Sequence, residues 1–235
     1  MREEIAMTQS HLSLRLGFWA AVGCVATFLI FTVAFVALVM VRPLYMWSDL
    51  AAYVAFNRTY PTPLPDVARL AMLAFAPLFV VLLNSIYDLA SPARKPLARL
   101  ALLFGLAFAV LIAIHYFVQL TAVRVGVDQA GAAGLEQIIQ ANPYSAVSAL
   151  NMLGWTLFLG LASLCAAPVF AGGALAKTVR YALLANGLIC LAGGFGYLTE
   201  NTLLVFVAMN PAMGGAILVA TVALSLYFRR LLRPA

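Results

Sequence analysis

His115 and Gln119 stand four residues apart in an apolar run, and Arg124 follows. On a helix, residues spaced i, i+4 share a face. A polar side chain inside hydrocarbon is costly unless paired, so such a pair marks a working site or a contact between helices. Imidazole exchanges a proton near neutral pH, a carboxamide gives and takes hydrogen bonds, and a guanidinium holds anions. Asn151 and Trp155 repeat the spacing in another apolar run, and Tyr197 and Glu200 close a third. If these converge, His115 is the titratable centre and Glu200 its partner. Gln119 and Asn151 supply hydrogen bonds, Arg124 holds an anionic group or Glu200 itself, and Trp155 and Tyr197 are aromatic walls. The seven would bind or pass a small amphiphile, a lipid headgroup or an ion. The competing reading is glue between helices, where such bonds average only about 0.6 kcal/mol.

Catalysis by His115 as an acid–base would need a second group within hydrogen-bond reach. The chain carries no HExxH, CxxC, P-loop or GxSxG pattern. Its other histidine, His11, lies in the N-terminal tail, so a bis-histidine haem lacks its second intramembrane ligand. His115 and Glu200 alone leave a metal shell incomplete. No catalytic residue, metal or cofactor is assigned. Cys24, Cys165 and Cys190 sit within apolar runs and read as packing residues.

The elements that must position these residues are set by composition. Of 235 residues, 65% are hydrophobic and only 9% charged, with a mean hydropathy of +1.01. A soluble domain carries about 25% charged residues. These values exclude a water-soluble monomer, a disordered chain and a disulfide scaffold. A hydrocarbon core about 30 Å thick takes about 20 apolar residues as a helix. Six stretches qualify: Gly17–Met40, Ala68–Ala90, Ala98–Thr121, Ala146–Phe170, Val179–Thr199 and Thr202–Phe228. They are too long for barrel strands. The expected fold is therefore all-α, a six-transmembrane-helix bundle forming one integral membrane domain over residues 1–235. The first run exceeds the 7–15 residues of a signal-peptide core and is read as a retained helix. In the sixth, either Asn210-Pro211 starts a helix, or one long helix kinks at Pro211.

Ten of the 14 Lys and Arg residues fall on one side of this topology; Arg42, Arg58, Arg69 and Arg124 fall on the other. The richer side should be cytoplasmic, which places both termini inside. The net charge of +6 then reflects topology and anionic-lipid contact, and no nucleic acid is expected. Abundant Arg and Ala suit a bacterial plasma (inner) membrane. The partners expected are membrane lipids, a small-molecule or lipid ligand, and a homo-oligomer or larger membrane complex.

The two long outer loops carry further pattern. In Arg42–Asp66, Ser48 can cap a short helix through Asn57 with Leu50, Tyr53, Val54 and Phe56 as its apolar residues, suited to the membrane interface. Pro61, Pro63 and Pro65 lead on in extended form. In Val125–Ser145, Leu135, Ile138 and Ile139 predict a second surface helix over 133–140. On the inner side, Asn84, Tyr87 and Asp88 are grouped with Asn186, and Asp88 is expected to cap a helix or pair with Arg94 or Lys95. Alanines spaced by four, with Gly193, Gly194 and Gly196, suit close helix packing.

The central third of the chain resembles an uncharacterised family of bacterial polytopic membrane proteins. The pattern runs His115-Tyr116-Phe117-Val118-Gln119-Leu120-Thr121-x-x-Arg124, then Gly134-Leu135, Asn142-Pro143-Tyr144-Ser145, Gly154 and Ala167-Pro168-Val169-Phe170. The resemblance implies a similar fold and no defined activity. Read locally, Pro143 lies in the loop and Ser145 can cap the helix that follows. Three roles stay open: a binding or transport protein, a structural or assembly subunit, and an intramembrane enzyme using His115.

Overall fold

The computed structural model describes residues 2–128 and 134–233. Six helices are long and apolar enough to cross a membrane. They are α1 (Arg2–Val41, with His11–Val41 as its apolar span), α3 (Leu64–Leu89), α4 (Lys95–Val127), α5 (Ala146–Val169), α6 (Ala174–Leu198) and α7 (Thr202–Leu231). A shorter helix, α2 (Leu50–Thr59), connects α1 to α3. No strand occurs among the described residues. Four spans begin earlier than expected from hydropathy, at His11, Leu64, Lys95 and Ala174. In α3 and α4 a proline in the first turn, where no amide hydrogen is needed, starts the helix ahead of its apolar stretch.

Each span packs against its neighbours in sequence, and α7 returns to α1, so the six close a ring. Every seam of the ring holds a glycine: Gly23 faces Leu78, Gly105 faces Leu83, Gly154 faces Ile112, Gly160 meets Gly187, Gly193 faces Met209, and Gly17 faces Phe228. In hydrocarbon the hydrophobic effect does not drive helices together, and close backbone approach with dispersion contact does more of the work. The middle of the ring is solid. Phe75, Phe79 and Phe108 stack and cross at 5.6–6.3 Å, and Trp155 meets Phe108 edge-on at 4.9 Å. Asn186 and Ser163 are buried between α5 and α6, joined by a 2.8 Å hydrogen bond.

The start of α1 and the end of α7 share one face of the ring, here called the terminal face; the opposite one is the loop face. On the terminal face, Ser13 donates to Asp88 at 2.6 Å, the role expected of Arg94 or Lys95. Arg94 instead donates to the Val169 carbonyl at the end of α5, and Lys95 lies over the Tyr87 ring. Asn84 is exposed, apart from the buried Asn186.

Other expectations are corrected by local chemistry. Asp49, not Ser48, caps α2, accepting from the Ala52 amide at 2.8 Å. The helix expected over 133–140 is a single tight turn, Leu135–Gln137, because its amides and carbonyls bond elsewhere; Ala133 lies outside the described residues. The last span is one helix capped by Asn201, and Asn210 caps nothing.

Three helices carry one wide turn each, where an amide reaches back five residues: Arg124 to Gln119, Leu159 to Gly154 and Met213 to Ala208. A wide turn disturbs the carbonyl ladder, and hydrocarbon offers no water to repair it. Each turn carries its own repair. Thr121 donates to Phe117, Thr156 to Met152 and Asn210 to Phe206, all to the carbonyl four residues back. In α7 the cause is Pro211, which has no amide hydrogen.

Candidate functional site

The loop-face end of the ring is closed by the segment 134–145, which folds into its mouth. Leu135 and Ile139 point inward and pack with Tyr53 of α2 and Val123 of α4. Backbone groups that turn inward need partners, and α4 supplies them. Gln119 is fully buried; its Nε2 donates to the Ile138 carbonyl at 2.6 Å, and its Oε1 accepts from the Gln140 amide at 3.0 Å. The carboxamide thus behaves as a backbone peptide group would, holding both sides of the chain. One turn deeper, His115 is also fully buried, with Nδ1 3.2 Å from the Val147 carbonyl. A carbonyl can only accept, so that contact assigns the proton to Nδ1 and leaves Nε2 as a lone-pair acceptor. Nε2 has no hydrogen-bond partner.

Inside the segment, Asn142 donates to Glu136, Ser145 to Ile139, and Ser148 to Gln140. Ser145 also caps α5 by accepting from the Ser148 amide, the role its place after Asn-Pro-Tyr predicts.

The seven residues singled out by sequence do not form one cluster. His115 and Gln119 share a face and serve the mouth segment. Trp155 donates to Asn151 at 3.1 Å, so that pair satisfies itself. Tyr197 is on the α6 side, its hydroxyl donating to the Pro143 carbonyl at 3.4 Å. Arg124 and Glu200 are exposed, and neither makes a side-chain hydrogen bond or ion pair among the described residues. Glu200 is a turn residue with φ of 56°, in the left-handed region. The next amide, of Asn201, bonds back to the Gly196 carbonyl at 2.8 Å and ends α6. Its position follows from chain reversal and brings it no contact with His115. Among the described residues, no three His, Cys, Asp or Glu side chains come together as a metal shell would require.

No family profile, curated protein or solved structure matches this chain. What the molecule can do must come from its own surfaces.

Two features of the loop-face half were not read from sequence. One is a groove of about 440 Å³ between α5 and α6, lined by Ala149, Leu153, Thr156, Leu191, Phe195 and Tyr197 among others. Gly194 lets α6 approach Thr156, whose hydroxyl is turned away to its own helix, so the floor offers no free polar hydrogen. The other is a pair of arginines. Arg69, on the second turn of α3, is bonded to Asp66 at 3.1 Å with its side chain only 16% exposed. Arg42, at the end of α1, is half-buried over the Phe56 ring, with two long 3.4 Å hydrogen bonds to Asn57 and to the Tyr60 carbonyl. Burial first, and then the like charge of Arg69, pull the Arg42 pKa below its ordinary value, against the influence of Tyr53. A sequence signal did exist: these are two of the four cations on the Arg-poor side. They stand on separate helices, so no spacing along the chain betrays the influence of one charge on the other.

Proposed function

We propose that this is a membrane protein that binds a single-chain amphiphile in its loop-face half, at the groove between α5 and α6. The observation that carries the reading is the asymmetry of that groove. Its walls are apolar, and Leu153, Leu157, Phe195 and Leu198 stand exposed along it, within or at the ends of helices long enough to span a bilayer. Apart from the Thr156 hydroxyl, which is bonded to its own helix, polar groups occur at one end, where Tyr197 meets the Pro143 carbonyl and α6 turns at Glu200. A chain lying in the groove would place its headgroup at that end. The volume falls within the roughly 300–1,000 Å³ usual for small-molecule pockets. The reading takes Tyr197 from the sequence-derived set and assigns His115 and Gln119 to holding the mouth segment closed. The positive-inside bias supports a cytoplasmic terminal face, with the groove in the outer leaflet of a bacterial inner membrane. The shared HYFVQLTxxR pattern then marks α4 and its hold on the mouth segment in related proteins.

The test is photo-crosslinking in phosphatidylcholine vesicles with a lysophosphatidylcholine carrying a diazirine in its chain. Adducts are expected on Leu153, Leu157, Leu191 and Phe195, competed by unlabelled lysolipid. Ala149→Trp, which fills the groove, should cut them about tenfold. Labelling that is no stronger there than on exposed Leu103 and Leu106 of α4 and resists competition would refute the reading. So would a second polypeptide seated in the groove.

A further inference from the structure

Glu200 stands at the polar end of the α5–α6 groove, two residues beyond Leu198 of its lining. Its amide bonds to the carbonyl of Tyr197, another lining residue, at 3.3 Å. Three unfavourable conditions meet at this position. The backbone is left-handed, with φ of 56°, a conformation that glycine adopts most readily where a helix ends. The carboxylate follows the C-terminus of α6, the negative end of the helix dipole, where a cation is favoured. No cation of the protein pairs with it among the described residues. Reversing the chain requires the backbone turn, and it does not require an acid.

The formal charges around the groove lean one way. Between Gly134 and Phe228 the only Lys and Arg residues are Lys177 and Arg180, near the start of α6 at the terminal face, while the acids are Glu136 and Glu200. Acceptors gather at the groove's polar end. The Pro143 carbonyl takes only a long 3.4 Å bond from Tyr197 and has a second lone pair. The half-buried Tyr197 ring offers a face to a cation. The hydroxyls of Ser145 and Thr156 are already occupied within α5. An anionic headgroup would be repelled by Glu200 and by the end of α6, with no Lys or Arg on these segments to hold it.

Resting on the reading of the groove as an amphiphile site, we infer that the amphiphile carries an ammonium group, held by the Glu200 carboxylate with the Tyr197 ring and the Pro143 carbonyl completing its seat. The ammonium is the end group of the chain itself, as in an alkylammonium, or the far end of a zwitterionic lysophospholipid, and the two sources are separable.

The experiment uses the full chain in phosphatidylcholine vesicles. A neutral monoacylglycerol with a diazirine in its chain labels the groove, and unlabelled amphiphiles of equal chain length compete at known mole fraction in the membrane. Alkyltrimethylammonium should displace the probe at about tenfold lower mole fraction than alkyl sulfate or alkyl maltoside, as an exposed ion pair and a cation–π contact together would give. Lysophosphatidylethanolamine against lysophosphatidylglycerol repeats the comparison beyond a phosphodiester, since only the first ends in an ammonium. Glu200→Gln should bring the cation to the level of the maltoside. Glu200→Asp should keep part of the preference and Glu136→Gln all of it. Each effect is a ratio within one variant, so a change in fold or in probe binding cancels. A preference confined to the alkyl set names a chain-end ammonium, one confined to the lysolipids names a zwitterionic lipid, and one in both means that either distance is accepted. The inference is overturned if cation, anion and neutral amphiphile compete alike in both sets, or if Glu200→Gln keeps the preference. Displaceable labelling by the neutral probe would then leave the groove reading standing. If no amphiphile displaces the neutral probe, the groove reading itself falls, and this inference with it.

Discussion

Replacing Gln119 by Met keeps the length and volume of the side chain and removes both of its hydrogen bonds to the mouth segment. Two backbone groups, the Ile138 carbonyl and the Gln140 amide, then lose their partner. An unsatisfied buried polar group costs about 1–3 kcal/mol, so a dry mouth would lose about 2–6 kcal/mol. Ile138 and Gln140 are only half-buried, and water entering from the loop face offsets part of that. The lower part of the range, about 2–3 kcal/mol, is expected. At 1.4 kcal/mol per factor of ten this is roughly 30- to 150-fold more frequent opening. Hydrogen–deuterium exchange in nanodiscs reads that opening at the Gln140 amide. The core of α5, around the buried Leu159, should keep its protection. Gln119→Glu adds a sign test. An ionised carboxylate faces the Ile138 carbonyl oxygen with nothing to donate, whereas the protonated carboxyl supplies an O–H. Protection at Gln140 in that variant should therefore rise as pH falls. If Gln119→Met changes Gln140 protection less than threefold, or loosens α5 equally, the carboxamide does not hold the mouth.

Two further substitutions test packing and chain reversal. Gly187→Ala would put a Cβ 2.5 Å from Leu164 and 2.9 Å from the Gly160 carbonyl, and a loss of about 1–3 kcal/mol is expected in detergent-titrated unfolding followed by circular dichroism. Gly215→Ala meets nothing within 4 Å and should be neutral or gain up to about 1 kcal/mol; an equal loss at both sites would refute the seam argument. Glu200→Gly relieves the left-handed backbone and should raise stability by about 1 kcal/mol, seen as a higher thermal midpoint, whereas a marked drop would mean the carboxylate has a partner.

The spans were legible because about twenty apolar residues in a row have few uses other than crossing a bilayer. Ser145 as a cap was legible because capping is local. The first turn of α2 was misread by one residue, since Ser48 and Asp49 are both good caps and only the Ala52 amide chooses between them. The mouth segment was misread in kind. Leu135, Ile138 and Ile139 have helical spacing, yet Gln119, sixteen residues before Leu135, takes up the backbone groups a helix would have used. No local pattern announces a long-range pairing of that sort. For the same reason the seven polar residues could be placed at similar depth but not around the ring, where they fall into separate neighbourhoods. The wide turns were hidden too. Thr121 and Thr156 carry no local signal of the carbonyls they repair, and Asn210 beside Pro211 looks like the start of a helix until its own bond to Phe206 is known.

The ring has a consequence for how the molecule is made. Five of its seams join spans that follow one another along the chain, so each can close as soon as its second helix has been synthesised. The sixth joins α1 to α7, where Gly17 meets Phe228 and Phe28 lies against Gly214. During biosynthesis the first span therefore waits, one flank of small and aromatic residues bare to lipid, until the ribosome has delivered the last of the six. A chain that stalls before α7 leaves that flank unmatched, ready to be recognised by whatever surveys unfinished membrane proteins.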